Sequence, residues 1–199
     1  PDSASGGLAE YAGKRVFAAT PEPAPAAPEA RTGPLLFVVQ LHSARQLHYD
    51  FRLELDGVLK SWAVPKGPSL DPGVKRLAVQ TEDHPFEYAS FEGVIPPKQY
   101  GAGEVIVWDC GVYAPDEDHR DAFHDREEAE RQVRAALEKG KLSFFLRGEK
   151  LKGSFALVKT GGPHRGGAGD PQQAKQWLVI KHKDRFVTTD DVLLRDRSV

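Results

Sequence analysis

Residues 47–55 read Leu-His-Tyr-Asp-Phe-Arg-Leu-Glu-Leu, and this alternation constrains the fold more than any other stretch of the chain. Successive side chains of a β-strand point to opposite faces. Leu47, Tyr49, Phe51, Leu53 and Leu55 therefore share an apolar face, and His48, Asp50, Arg52 and Glu54 share the other. Burying the odd face fixes the register and sets imidazole, carboxylate and guanidinium in a row. Residues 35–42 read as a second strand with Val38, Gln40 and His42 on a common face. Two imidazoles and a carboxylate on adjacent strands form an open metal site, with room for water or substrate. A single His-x-Asp is more often a surface histidine beside a solvated ion pair. The clean apolar register, together with a second polar stripe, favours the site.

The 199 residues suit one domain of ordinary size. Lys and Arg total 27 against 29 Asp and Glu, a net charge of −2, so any anion site must be a local basic cluster. The one cysteine, Cys110, excludes an internal disulfide and fits a reducing compartment. The sequence holds no long apolar run and no signal-peptide pattern, so a soluble cytoplasmic protein with no membrane partner is expected. Methionine is absent even at position 1, which suggests processing or excision from a longer chain.

Residues 1–34 are rich in Ala, Pro and Gly and read as an amino-terminal arm, partly disordered, in which 8–17 can form a short helix or an arm that packs on the domain. From Leu35 short apolar runs between turn residues signal a mainly β fold over 35–186. Asp56-Gly57 is a two-residue hairpin signal. It would pair Phe51 with Trp62 and Leu53 with Lys60, leaving the small Ser61 and Ala63 beside Arg52 and Asp50. Strict register puts Lys66 on the far face, but Pro65 and Gly67 release it. Residues 75–84 supply the second polar stripe, with Arg76, Gln80, Glu82 and His84 opposite Leu77, Val79 and Thr81. Residues 86–100 look like a loop, and 104–108 a strand. Residues 121–139 form the one helix, with Asp121 or Asp125 as cap, apolar Ala129, Val133, Ala136 and Leu137, and Gly140 as stop. Residues 141–146 and 153–160 pair as strands, 161–170 make a Gly-rich surface loop with His164 and Arg165, and 177–183 make the last strand. Residues 187–199 read as a tail or linker.

The candidate site collects His42, His48 and Asp50 with Arg52, Arg76, Glu82 and His84, and has Gln40, Lys66 and Tyr88 as neighbours. A divalent ion there can act as a Lewis acid on a phosphoryl oxygen. Arg52, Lys66 and Arg76 would clamp a phosphate, and His84 can give a proton or hydrogen bond to a leaving group. The chain has no Gly-x-Ser-x-Gly elbow, Walker loop or Cys-x-x-Cys pair.

Two long stretches, 37–64 and 75–108, closely resemble the 3′-phosphoesterase domain of bacterial DNA ligase D. The resemblance is carried by His42-Ser-Ala-Arg-Gln-Leu-His48-Tyr-Asp50-Phe-Arg52-Leu-Glu-Leu-Asp-Gly and by Leu59-Lys-Ser-Trp-Ala-Val-Pro-Lys66-Gly-Pro. Arg76-Leu-Ala-Val, Glu82-Asp-His84-Pro and Tyr100-Gly-Ala-Gly-Glu-Val-Ile-Val-Trp108 extend it, and Leu151-Lys-Gly-Ser-Phe-Ala-Leu-Val-Lys and Trp177-Leu-Val-Ile-Lys complete it. It implies a compact β-barrel with one surface helix and an extended amino-terminal arm. The implied enzyme is manganese-dependent, with cobalt or zinc as alternatives. It removes 3′-terminal ribonucleosides and then 3′-phosphates from DNA or RNA-tipped primer-templates in double-strand break repair.

By position, the resemblance assigns the metal to His42, His48 and Asp50 and the scissile phosphate to Arg52 and His84. Gln40, Lys66, Arg76, Glu82 and Tyr88 complete the implied pocket. The implied partners are polymerase and ligase modules of the same chain and the Ku end-binding protein, in the nucleoid-associated bacterial cytoplasm. One departure stands out. Family members carry Arg-Asp-Phe ahead of Thr-x-Glu-Pro, whereas this arm reads Arg15-Val16-Phe17 ahead of Thr20-Pro-Glu22-Pro23. Two other classes fit parts of the pattern: a non-haem iron oxygenase with His84 as a further ligand, and a non-catalytic module that binds nucleic-acid ends around a structural metal.

Overall fold

The computed structural model describes residues 7–26, 31–117, 120–121, 123, 125–160 and 171–194. The Gly-rich stretch with His164 and Arg165 and the end of the expected tail lie outside them. The elements in chain order are α1 (Ala9–Gly13), β1 (Leu35–Ser43), β2 (Leu47–Leu55), β3 (Val58–Val64), β4 (Lys75–Gln80), β5 (His84–Pro85) and β6 (Gly93–Ile95). They continue with β7 (Gly103–Glu117), β8 (Arg120–Asp121), α2 (Arg126–Glu138), β9 (Lys141–Gly148), β10 (Lys152–Lys159) and β11 (Gln176–Lys181).

Eight antiparallel strands in the order β1-β2-β3-β4-β11-β10-β9-β7 close into a barrel through pairing of β7 with β1. Closure leaves no free edge among these strands. The β2–β3 hairpin has the register that the alternation demands, pairing Phe51 with Trp62, Arg52 with Ser61 and Asp50 with Ala63. Its turn places both Asp56 (φ 53°) and Gly57 (φ 78°) in the left-handed region, as a tight hairpin turn requires. Tyr49, Phe51, Leu53 and Leu55 enter the barrel core with Trp62, Trp108, Phe144, Phe155 and Trp177. At roughly 25 cal/mol per Å² of apolar surface removed from water, such a core dominates the stability.

The polar face of β2 therefore looks out of the barrel, yet it is not left to solvent. Over it lies a second apolar cluster of Tyr11, Leu59, Tyr88, Phe91, Ile95 and Val105, joined at its margin by Phe17 and Phe86. The arm around α1 and the segment 84–101 form a roof over the outer face of β1, β2 and β3.

Three expectations change. The stripe over 75–84 is not one strand. Val79 and Gln80 pair with Ala63 and Trp62, whereas His84 pairs with Leu59. Thr81, Glu82 and Asp83 thus face only Lys60 and Ser61, a bulge that flips the faces. Gln80 joins the core side, accepting a hydrogen bond from the Trp177 indole, and Arg76 shares its face, while His84 stays outside. Second, β7 runs from Gly103 to Glu117, far past the expected strand at 104–108, with one extra residue, Trp108, between the pairs Val39–Asp109 and Gln40–Val107. Third, α2 begins at Arg126, where the Asp125 carboxylate accepts from the Glu128 amide at 3.0 Å, while Asp121 lies in β8. Past β11, in the expected tail, Val192 is buried against the core.

Candidate metal centre

His42 and His48 face each other across the β1–β2 pair, and Asp50 follows two residues later on β2. Their ligand atoms all lie within 4.8 Å of one another. The ring nitrogens available to an ion follow from the carbonyls nearby, since a carbonyl can only accept. His42 donates from Nε2 to the Gly101 carbonyl at 2.7 Å, leaving the lone pair of Nδ1 towards Asp50 Oδ2 at 3.4 Å. His48 donates from Nδ1 to the Gln46 carbonyl at 3.0 Å, leaving Nε2 towards Asp50 Oδ1 at 3.4 Å. Donors bound at about 2.0–2.2 Å to one ion stand roughly 3.0–3.5 Å apart, so the spacing suits a divalent metal. The backbone carbonyls act as the outer partners that fix ring orientation in metal sites.

Arg52 is buried beside this group and spends three of its N–H groups on the protein. It donates to Gln40 Oε1 at 2.8 Å, Ser61 Oγ at 2.9 Å and Asp50 Oδ2 at 3.1 Å. Two of its five donors remain for a ligand. Gln40 donates in turn to the carbonyls of Tyr88 and Phe91, both at 2.9 Å, which ties the roof to the barrel. Burial would raise the Asp50 carboxyl, but the Arg52 charge beside it holds it well below the usual range. His84 goes the other way for an imidazole: burial first, then Arg52 and Arg15, depress its pKa well below the usual value. It is therefore neutral at pH 7, donates from Nδ1 to the Glu82 carbonyl at 2.9 Å, and turns Nε2 to Arg15 Nη2 at 3.4 Å.

A family model for the DNA ligase D 3′-phosphoesterase domain matches residues 40–159. The chain belongs to that family. It is 54% identical over 178 residues to the multifunctional non-homologous end joining protein LigD of Pseudomonas aeruginosa, covering 89% of this chain and 19% of that protein. The LigD DNA repair protein of Mycobacterium tuberculosis is 44% identical over 155 residues, 78% of this chain and 18% of its own. The LigD protein of Mycolicibacterium smegmatis is 40% identical over 178 residues, 89% of this chain and 21% of its own. The chain spans about a fifth of the length of these multifunctional relatives.

In this phosphoesterase domain a cavity of about 160 Å³ brings together His42, His48, Asp50, Arg52, Glu82, His84 and Tyr88. Gln40 stands behind Arg52 rather than in the cavity wall. Lys66 is exposed beyond the turn closed by the Gly67 amide on Val64, and Arg76 is carried to the other face by the bulge. Neither lines the cavity. His84 is also outside the close ligand group, so a three-donor set that includes it does not form here.

The residues that the alternation could not supply come from the arm. Arg15 donates to Glu22 at 2.8 Å and to Glu82 at 3.3 Å and stacks 3.8 Å from the centroid of the Tyr11 ring. Glu22 accepts from Thr20 at 2.9 Å and from the Tyr88 hydroxyl at 3.0 Å. Besides the family positions of Arg15 and Glu22, a sequence signal for this is Tyr11-x-x-x-Arg15, the i, i+4 spacing at which side chains meet across a helical turn. No side-chain pattern could have revealed Gly101, which acts through its carbonyl. Among the described residues, no helix is long and apolar enough to cross a membrane.

Proposed function

We propose that the protein is a divalent-metal-dependent, manganese-preferring 3′-phosphoesterase that heals strand ends in non-homologous end joining. It removes a 3′-terminal ribonucleoside and then hydrolyses the 3′-phosphate left behind. The observation that carries this reading is the set of three donor atoms, each turned inward by an outer hydrogen bond or strand register, beside a buried guanidinium with two donors to spare.

His42, His48 and Asp50 would hold the ion, which would supply Lewis-acid chemistry to a phosphoryl oxygen. The protein does the rest. Arg52 orients the phosphoryl group through its free N–H pair, and Asp50, Gln40 and Ser61 keep it from turning. Arg15 closes the pocket from the roof as a second cation and is itself held by Glu22 and Glu82. His84, neutral and oriented by the Glu82 carbonyl, offers Nε2 to hold a proton at an oxygen of the reacting group. A phosphate arriving between Arg52 and Arg15 offsets the two charges that depress His84 and so favours its protonation.

The test is a 5′-labelled primer–template ending in one 3′-ribonucleotide, incubated with manganese, with and without EDTA, beside His48→Ala. Metal-dependent shortening to a 3′-phosphate and then to a 3′-hydroxyl supports both steps; no reaction on ribonucleotide or phosphate ends removes the proposal. Val16 bears on the balance between steps. It is 61% exposed, beside Arg15 in the arm, where the family resemblance implies an acid. Val16→Asp should raise ribonucleoside removal about tenfold or less while leaving 3′-phosphate hydrolysis unchanged; equal rates in both proteins would reject that role.

A further inference from the structure

At about 160 Å³ the cavity over the metal group is smaller than the roughly 300–1,000 Å³ of pockets that enclose an organic ligand. It suits the reacting phosphate, and whatever that phosphate is attached to must extend beyond it. A second cavity of about 450 Å³ adjoins it, sharing Thr81, Glu82 and Tyr100 as common wall. The Tyr100 ring is 49% exposed. It is also braced, with Lys14 Nζ 4.8 Å and Arg15 Cζ 5.5 Å from its centroid and the Lys14 ammonium donating to its hydroxyl at 3.4 Å.

The charges of this groove are arranged in order. Next to the metal cavity Lys14 is neutralised, bonded to Glu10 at 2.7 Å and Glu82 at 3.1 Å. Lys175, on the segment entering β11, lines the same groove and is exposed. Its charge adds to the hydrogen bond and charge of Lys14 in lowering the Glu10 carboxyl. A braced, half-exposed aromatic ring followed by an exposed cation is how proteins hold a single strand, stacking a base and then neutralising a phosphate.

We propose that this groove seats the nucleoside joined to the reacting phosphate, with its base stacked on Tyr100 and its 5′-phosphate at Lys175. The inference rests on the phosphoesterase reading above. Its occupant is the 3′-terminal nucleoside of the primer strand, frayed from its template, and any of the four bases fits because every base has a π-face. The metal end thus reads phosphate, and the Tyr100 groove reads the presence of a base.

The experiment measures binding without turnover. Fluorescence anisotropy in EDTA compares a 5′-fluorescein single strand ending in a base-bearing 3′-phosphate nucleotide with the same strand ending in an abasic 3′-phosphate residue. The wild-type protein should bind the base-bearing end about tenfold tighter. Tyr100→Ala should erase the difference and Tyr100→Trp should keep it, while Lys175→Gln should reduce the log–log salt slope by about 0.7. With manganese, Tyr100→Ala should raise KM for the base-bearing end about tenfold with kcat within about twofold. Equal wild-type affinity for the two ends, or an undiminished preference in Tyr100→Ala, overturns the groove assignment. Base preference lost in Tyr100→Ala, with no 3′-phosphate hydrolysis by the wild type, supports the groove while rejecting the phosphoesterase reading.

Discussion

Two buried aspartates on this barrel meet opposite fates. Asp109, on β7, accepts from the backbone amides of Glu149 at 2.9 Å, Lys150 at 3.1 Å and Leu151 at 2.7 Å, and it holds the β9–β10 connection in place. Burial nonetheless wins there, and its carboxyl is pushed up. Asp50 is as well buried, but its partners are side chains, and the Arg52 charge pulls its carboxyl far down. Backbone amides saturate a carboxylate and end the network. Side chains pass the network on and leave nitrogen lone pairs facing a cavity. The first arrangement is a fastening, and the second is able to take a ligand.

The widest separation between the two should come from removing one member of each. His48→Ala should lower kcat/KM roughly a hundredfold or more by deleting a donor to the metal, with a melting temperature close to the parent's, because His48 bonds only the Gln46 carbonyl and Asp50. Asp109→Ala strands three amides, two of them buried, and should cost about 3 kcal/mol in denaturant titration, with activity per folded molecule unchanged. Crossed outcomes would break the comparison. Gln40 belongs to both kinds, so Gln40→Leu should blur it, costing about 2 kcal/mol and roughly tenfold in kcat/KM through a loosened Arg52.

A smaller effect sits at Asp184, which accepts from Lys181 at 2.5 Å and from the Ser154 amide at 2.7 Å. Burial opposes its charge, but these partners outweigh burial and lower its pKa. Its partner also falls below the usual lysine value, because Lys181 bears most of the burial. The pair is therefore worth less than the aspartate shift alone implies. A depressed carboxyl stabilises above its unfolded pKa of about 3.9 and loses that contribution as pH falls through the folded value. Asp184→Asn should cost about 1 kcal/mol at pH 7, a gap that closes below about pH 4 in acid titrations. The least effect belongs to the exposed pair of Arg134 with Asp56 at the β2–β3 turn. Arg134→Ala should change stability by under about 1 kcal/mol.

The alternation of residues 47–55 with the Asp56-Gly57 turn made the hairpin register and the metal group legible, because one buried face decides every residue on both strands. Arg76 was misplaced because a bulge over Thr81–Asp83 reverses the faces, and none of those residues carries the glycine that would advertise it. The length of β7 was hidden by Asp109 and Gly111, which look like turn residues but serve as an acceptor and a close approach to the Arg147 carbonyl. Arg15 and Glu22 were visible as retained arm positions, yet composition read most of that arm as extended or disordered rather than core, with only 8–17 open to packing on the domain. Apolar anchors spaced as widely as Tyr11 and Phe17 leave no periodic trace.

The β1–β2 hairpin carries all three candidate metal donors within nine residues of chain, from His42 to Asp50. Bringing donors so close in sequence together costs little loop-closure entropy, and hairpins form in about 1–10 μs. A chain that has made only this hairpin already brings the three donors near one another, although Gly101 and Arg52 still have to orient His42 and Asp50. Ligands stabilise a fold only by the excess of their affinity for it over unfolded forms. An ion bound there would therefore raise the melting temperature by less than its affinity for the finished site alone would give.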